Sequence, residues 1–399
     1  MYLQILLALL IGIFCGIITG IVPGIHVNLV ATTMFAVSPF LLGFVEPLIL
    51  AVFIISLSVV HSFLDTIPSI YLGAPENENC LSVLPGQKML LQGKGYQAVK
   101  ITIFGTYTGL LVAVCLIPLF IVIANILYPF LKQYLIYLLI GLMAYMLLKE
   151  KEKIWCALLF FLSGTLGIVV FSIPNLNEPL FPMLSGLFGV SGMVLSFFEN
   201  TNIPAQEIGK EIDLKIKDLF KALLGSSVAV FLIQFFPGLG PAQGAVISNQ
   251  IIKDVKDKGY LALVGAMGTM SVVFSLVTFY TLDKAKDGTI VVISKLMEID
   301  LWSFLTLVFV FLIAGSISVF LTLWFSKIFS KLITRVNYKL LLVSIVVFVF
   351  LMSLVLNGPI GILVLLTSTS IGLIAPLKEI GRNHAMGCLI LPVILYFIL

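Results

Sequence analysis

The stretch Gly20-Ile21-Val22-Pro23-Gly24-Ile25-His26-Val27-Asn28 breaks an apolar run that extends from Met1 to Leu42. A similar stretch, Phe235-Phe236-Pro237-Gly238-Leu239-Gly240-Pro241-Ala242-Gln243-Gly244, follows the apolar run from Ala222 to Phe236. One such break occurs in each half of the chain. Paired interruptions of this kind are the sequence feature that points to a transporter binding site built from broken helices.

The composition is that of a membrane protein. Of the 399 residues, 60% are hydrophobic and 11% are charged, and the mean hydropathy is +1.17. Soluble domains carry about 25% charged residues. Apolar runs of about 20 residues, the length that spans a bilayer, recur throughout. Long runs such as Leu340 to Val355 do not alternate with polar residues as β-barrel strands do. We therefore predict an all-α polytopic protein of the cell (cytoplasmic) membrane.

Several functional classes lack support in the sequence. The net charge of +4 is spread over short clusters, without the concentrated basic face that a nucleic-acid-binding protein needs. No HExxH, G-x-S-x-G or P-loop motif occurs, so we predict no enzyme activity. The five cysteines form no CxxC pair, and the three histidines, His26, His61 and His384, are far apart in sequence. We accordingly predict no metal centre and no cofactor.

An internal repeat is indicated by two correspondences. The Pro-Gly breaks are one, and the likeness of 163–168 (SGTLGI) to 368–373 (STSIGL) is the other. The longest polar linker, Glu199 to Lys221, separates the halves. We predict two repeats, 1–205 and 206–399, in inverted orientation, with about 10 to 12 membrane segments of which some are re-entrant. The alternative is that small residues recur because they let helices pack closely.

The breaks are the predicted substrate site. A Pro-Gly pair frees backbone groups that lipid cannot satisfy, so it is tolerated where protein or water covers it. A half-helix that starts at a break directs its free N–H groups and positive dipole end at an anion. The predicted substrate-binding residues are Pro23, Gly24, His26, Asn28, Pro237, Gly238, Gly240, Gln243 and Asn249. The alternative is a structural kink that neighbouring side chains fill.

A coupling-ion site is predicted near residue 65. His61 and Asp65 are four residues apart and so share one helix face, and Thr66 follows. Asp65 is the only acid between Glu46 and Glu76. An ionisable residue inside a membrane is a functional candidate by default. The alternative is a pair at a helix end near the interface. The charged residues of the later connector 283–288 are interpreted as a solvated loop.

Four segments carry a family resemblance. They are residues 20–28, 84–88 (LPGQK) with 93–96 (GKGY), 184–189 (LSGLFG) and 381–392 (GRNHAMGCLILP). Through them nearly the whole chain resembles the large membrane subunit of tripartite tricarboxylate transporters, and more closely the shorter archaeal-type members. The resemblance implies a cation-coupled carrier of di- or tricarboxylates, which in full bacterial systems works with a periplasmic binding protein and a small membrane subunit.

Three functions remain as hypotheses at this point. The first is a secondary transporter, a symporter driven by H⁺ or Na⁺, that moves a small anionic solute by alternating access. The second is a translocase for a polyprenyl-phosphate lipid carrier, since the same kind of site would accept a phosphate. The third is a membrane scaffold that transports nothing. The partners considered are the solute or lipid phosphate, membrane lipid, a solute-binding protein, a small membrane subunit and a second copy of the chain.

Overall fold

The structure is a computed structural model that describes residues 1–22, 27–73, 83–131, 134–174, 176, 178–198, 203–209, 211–212, 214–235, 239–252, 255–333 and 338–398. Over these ranges the regular structure is helical and no β-strand occurs. The predicted site residues Pro23, Gly24, His26, Pro237 and Gly238 lie outside the described residues.

The α-helices of the described ranges have the following bounds: α1 Tyr2–Ile21, α2 Val27–Leu41, α3 Pro47–Leu64, α4 Val83–Leu91, α5 Gly95–Leu131, α6 Leu135–Lys149, α7 Lys153–Ser172, α8 Leu180–Leu184, α9 Ser191–Phe198, α10 Ile216–Gln234, α11 Pro241–Ile251, α12 Asp257–Leu282, α13 Gly288–Leu296, α14 Leu301–Leu332, α15 Tyr338–Gly372, α16 Ile374–Leu377 and α17 Gly387–Ile398. Two π-helical segments, Pro68–Leu72 and Ser185–Val190, and a 3₁₀ segment, Arg382–Met386, complete the set.

The helices confirm the predicted multi-pass membrane protein. Within the described ranges, seven are long and apolar enough to cross a bilayer, and three shorter apolar helices accompany them. The span formed by α12 is buried throughout, so this helix lies at the centre of the bundle. The long helix α15 is kinked at Gly358, whose φ of 63° favours glycine, and Pro359 follows directly. It therefore consists of two helical segments joined at a kink.

Glycine allows α1 to pack directly on α3. Gly12, Gly16 and Gly20 lie one turn apart along α1, and a Cβ atom at Gly20 would lie 2.8 Å from the Cβ of Leu64. Gly12 faces Ser56 in the middle of α3, about two turns before the contact of Gly20 with Leu64, so the two helices run parallel. Because α1 and α3 are parallel, the segment between them must run back from the end of α1 to the start of α3. The return includes α2, whose 15 residues extend about 22 Å and so fall short of a bilayer core of about 30 Å.

The second half repeats this arrangement. The Ser226 hydroxyl donates to the carbonyl oxygen of Leu263 at 3.1 Å, and Gln234 Nε2 donates to that of Ser271 at 2.6 Å, so α10 and α12 are also parallel. The return is α11, which packs antiparallel on α10 with Gly225 facing Ser248. With 11 residues it is also shorter than a span. Both helices that follow the predicted breaks are therefore too short to cross a bilayer.

Helices α3 and α12, each of which packs parallel to the helix before a predicted break, run in opposite directions. The start of α5 lies beside Tyr71, just past the end of α3, so α5 turns back along the bundle. Helix α12 is parallel to α5, because Gly105 faces Ala262 and, further along both helices, the ring of Phe120 stacks on that of Phe274 at 4.3 Å. Opposed directions of matching helices are what inverted repeats require.

Contacts between the halves are reciprocal. Helix α5 packs on α12, and α14 packs on α3. Helix α7 packs on α17, and α15 packs on the π-helical segment Ser185–Val190. The two sequences that suggested a repeat lie in α7 and α15, at these exchanged contacts. A duplicated unit whose copies pack across a pseudo-twofold axis would produce this pattern.

Candidate functional site

A buried polar group lies where α1 approaches its end. His61 Nδ1 is 3.1 Å from Thr19 Oγ1, and both residues are buried. The contact is close because Gly20 has no side chain, and a Cβ there would lie 3.0 Å from the main-chain oxygen of His61. His61, a predicted site residue of α3, therefore lies beside the end of α1, the helix that precedes the first break. Thr19 was not singled out from the sequence.

Asp65 and Thr66 lie directly beyond this group, at the junction of α3 with the π-helical segment Pro68–Leu72. Asp65 is 2% exposed and Thr66 1% exposed. The hydroxyls of Thr66 and of buried Ser69 have no hydrogen-bond partner in the described part of the chain. Buried polar atoms are nearly always paired, so two orphan hydroxyls beside a buried carboxylate need an explanation. π-Helical turns occur frequently at functional sites.

The second break is framed by two glutamines. Gln234, the last residue of α10, has a buried Oε1 atom without a hydrogen-bond partner among the described residues. Gly240 caps α11, and its N–H donates to Gln243 Oε1 at 2.8 Å, which is the half of a capping box that a glycine N-cap allows. The predicted Gly240 and Gln243 thus form the start of the half-helix, whose dipole has its positive end here.

The connector after α12 folds back to the end of α10. The Ser275 hydroxyl accepts hydrogen bonds from the main-chain N–H groups of Lys286, at 3.0 Å, and Asp287, at 2.8 Å. The ammonium group of half-buried Lys286 then donates to the carbonyl oxygen of Ile233, next to the end of α10. A cation at a helix C-terminus is favourable. Burial nevertheless lowers the pKa of Lys286 to about 7, while the charge of Asp287 acts in the opposite direction.

An open cavity of about 460 Å³ lies against the end of α10. Its polar lining consists of Tyr128, Gln234, Thr278, Asp283, Lys284, Lys286 and Ser294. The volume is within the range of small-molecule sites. Two ammonium groups and one carboxylate give it a net positive lining. Lys284 and Lys286 belong to the connector that was interpreted as a solvated loop. Lys284 is exposed as expected, whereas Lys286 is drawn inward.

Helix α13 connects the surroundings of the two breaks. It contributes Val291 and Ser294 to the cavity. It also contacts α2 and α3, and Lys295 Nζ lies 5.6 Å from the ring centroid of Phe35 in α2. The helix after the first break and the cavity at the second are therefore separated by a single short helix. Asn28 lies in the first turn of α2, but its side chain is outside the described atoms.

Asn249 is separated from the other predicted residues. It lies at the far end of α11, exposed, in another cavity of about 510 Å³ that also contains Lys88, Arg382 and Asn383. Lys88 forms an ion pair of 2.9 Å with Asp257 at the start of α12. Arg382 donates to the carbonyl oxygen of Phe188 at 2.7 Å. Two of the four segments that carry the family resemblance therefore line this cavity, and a third contacts its Arg382 through Phe188.

The chain belongs to the tripartite tricarboxylate transporter TctA family. The model of that family matches residues 6–387. An uncharacterized protein of Methanocaldococcus jannaschii is 31% identical over 358 residues, which cover 87% of this chain and 88% of the relative. No solved structure matched the chain. The family predicted from sequence motifs is confirmed, and with the apolar helices it makes the chain a multi-pass membrane protein of a transporter family.

Proposed function

We propose that the chain is a secondary active transporter that moves a small organic anion of the carboxylate class across the cytoplasmic membrane, driven by H⁺ or Na⁺. The observation that carries the proposal is the cavity at the end of α10, which Lys284 and the inward-drawn Lys286 line with positive charge. An ammonium group favours a carboxylate, with which it forms charge-assisted hydrogen bonds. The family agrees with this class of substrate.

Alternating access is proposed from the arrangement of the helices. Residues 1–205 and 206–399 are proposed as inverted repeats, because α3 and α12 are antiparallel and contacts between the halves are reciprocal. Transporters built in this way expose a fixed site to either side by rocking one repeat against the other. The half-helices α2 and α11 would move with their own repeats.

The coupling ion is proposed to bind at Asp65. The carboxylate is buried, and the Thr66 and Ser69 hydroxyls beside it have no partner among the described atoms. Hard cations are bound by carboxylate, hydroxyl and carbonyl oxygens. His61, one turn before Asp65 and in contact with Thr19, provides a titratable neighbour for a proton-driven mode.

The experiment separates binding from transport. Binding of labelled citrate to the purified protein is measured in detergent with Na⁺ or choline, and uptake is measured in vesicles with imposed Na⁺ or H⁺ gradients. Lys286→Gln should weaken binding by about tenfold or more, the cost of losing one charge-assisted hydrogen bond. The matched control is Lys217→Gln on the exposed face of α10, which should bind normally. Wild-type binding by Lys286→Gln would contradict the site.

The tripartite name of the family suggests partner subunits. We propose a solute-binding protein and a small membrane subunit as the partners. If the chain alone binds citrate without uptake, addition of such subunits should restore uptake. A polyprenyl phosphate that competes with citrate at stoichiometric amounts would instead favour the lipid-carrier translocase, and absence of binding for every anion would leave the scaffold.

A further inference from the structure

Three metal-ligating side chains that are distant in sequence meet at the exchanged contact of α7 and α17. Glu150 lies in the connector after α6, Cys156 in the first turn of α7 and His384 in the 3₁₀ segment before α17. Their nearest donor atoms all lie within 4.8 Å of one another. His384 Nε2 is 3.3 Å from Glu150 Oε1. Sequence spacing predicted no metal site because these residues are far apart along the chain.

The histidine is the second observation that points to a ligand. Its side chain is 1% exposed, and Nε2 has no hydrogen bond in the described part of the chain. Cys156 is completely buried beside it. A buried nitrogen that has no partner costs about 1–3 kcal/mol. The carboxylate of Glu150 is near enough to His384 for an ion pair, so a cation bound between the two side chains would be held by both.

We propose that Glu150, Cys156 and His384 bind one divalent transition-metal ion of the zinc class. Thiolate, imidazole and carboxylate are the ligands of zinc, whereas Mg²⁺ and Ca²⁺ prefer oxygen alone. Bonds of about 2.0–2.3 Å at tetrahedral angles place ligand atoms about 3.3–3.7 Å apart. The separation of His384 and Glu150 already has this value. Binding requires the thiolate, so the Cys156 proton is released to solvent.

The proposed site adjoins the cavity that contains Asn249, because the side chain of Glu150 is 38% exposed and lines that cavity together with Arg382. A metal ion can therefore reach the three ligands from this side. Glu150 and Cys156 belong to residues 1–205 and His384 to the rest of the chain. A bound ion would therefore link the two halves at the exchanged contact.

The test uses Co²⁺ and Zn²⁺ on the purified, chelator-stripped full chain. Co²⁺ bound to a thiolate gives a charge-transfer absorption in the near ultraviolet. We expect this band to saturate at one Co²⁺ per chain and to disappear when Zn²⁺ displaces the cobalt. It should be absent in Cys156→Ser and unchanged in Cys115→Ser, whose exposed thiol lies in α5. Absence of the band from the wild type, or its persistence in Cys156→Ser, would overturn the proposal.

A second variant covers the case that Cys156→Ser does not fold. Glu150→Gln alters a half-exposed side chain, so its fold should persist. Its Zn²⁺ affinity, measured by competition with a chelating dye, should fall by about tenfold or more, because loss even of an outer-shell partner costs about 10–100-fold. Equal Zn²⁺ affinities in the wild type and Glu150→Gln would refute the site. Neither measurement depends on anion binding or transport.

Discussion

Replacement of Thr66 by valine should stabilise the sodium-free protein. The Thr66 side chain is 1% exposed, and its hydroxyl has no hydrogen-bond partner in the part of the chain that the structure describes. Valine has nearly the same shape, so Thr66→Val leaves no cavity and removes a desolvated polar group. Such a group costs about 1–3 kcal/mol, and the free energy of unfolding should rise by a comparable amount.

Sodium should reverse the stability difference between the wild type and Thr66→Val. If Thr66 Oγ1 is a ligand of Na⁺, the wild type gains about 2.7 kcal/mol at a Na⁺ concentration of 100 times Kd. The variant loses most of this gain. The assay is thermal unfolding of the purified protein in detergent, followed by intrinsic fluorescence in NaCl and in choline chloride at equal ionic strength.

The matched control is Thr322→Val in α14. Thr322 is also fully buried, but its hydroxyl donates to the carbonyl oxygen of Ser318 at 2.7 Å. This variant should lose about 0.5–1.5 kcal/mol and keep the response to sodium. If Thr66→Val and Thr322→Val destabilise equally and respond equally to sodium, the argument from the orphan hydroxyl is refuted.

Two further predictions concern the helix contact at the first break and the lysine at the second. Gly20→Ala should destabilise the protein by about 1–3 kcal/mol, because the new methyl group would meet Leu64 at 2.8 Å. The control in the same unfolding assay is Gly141→Ala, whose methyl group would meet nothing within 4 Å. Equal stability of the two variants would contradict the packing of α1 on α3. Citrate binding should weaken as pH rises from 6 to 8, because the pKa of Lys286 is lowered to about 7 and the side chain loses its charge in that interval. Binding by Lys286→Met should show no such decline, and a parallel decline in both proteins would exclude this lysine as the cause.

The broken helices could be predicted because their determinants are local. A proline that follows a long apolar helical run ends that helix, and α1 and α10 end at Ile21 and Gln234, two and three residues before their prolines. Burial of Asp65 could be predicted for the same kind of reason, since a single acid within an apolar run must enter the bundle with it. These inferences need no knowledge of which helices are neighbours.

The lysine at the second break could not be predicted in this way. A connector with alternating charges is usually solvated, and nothing local distinguishes Lys286 from Lys284. What places Lys286 is the hydroxyl of Ser275, eleven residues earlier, which accepts its main-chain N–H. Similarly, Cys156 and His384 meet only because α7 packs on α17 across the two halves. Contacts between distant segments set both sites, and residue spacing does not encode them.

The surroundings of the two breaks have opposite electrostatic character, although each is formed by a pair of parallel helices. On α3, the helix packed on α1, the polar residues near the first break include Asp65 and unpaired hydroxyls. On α12, which packs on α10, Ser275 accepts a hydrogen bond from the main-chain N–H of Lys286. The ammonium group of Lys286 then donates to the carbonyl oxygen of Ile233. A cation at the first break and an anion at the second would each compensate the charge of the other, because opposite charges attract strongly where water is excluded.

Helix α13 contacts both regions, so occupation of one site can alter the position of the other. We therefore expect Na⁺ to increase citrate affinity in the wild type, and citrate to increase Na⁺ affinity by the same factor, as linkage requires. Asp65→Asn should abolish both effects while leaving the sodium-free affinity for citrate unchanged.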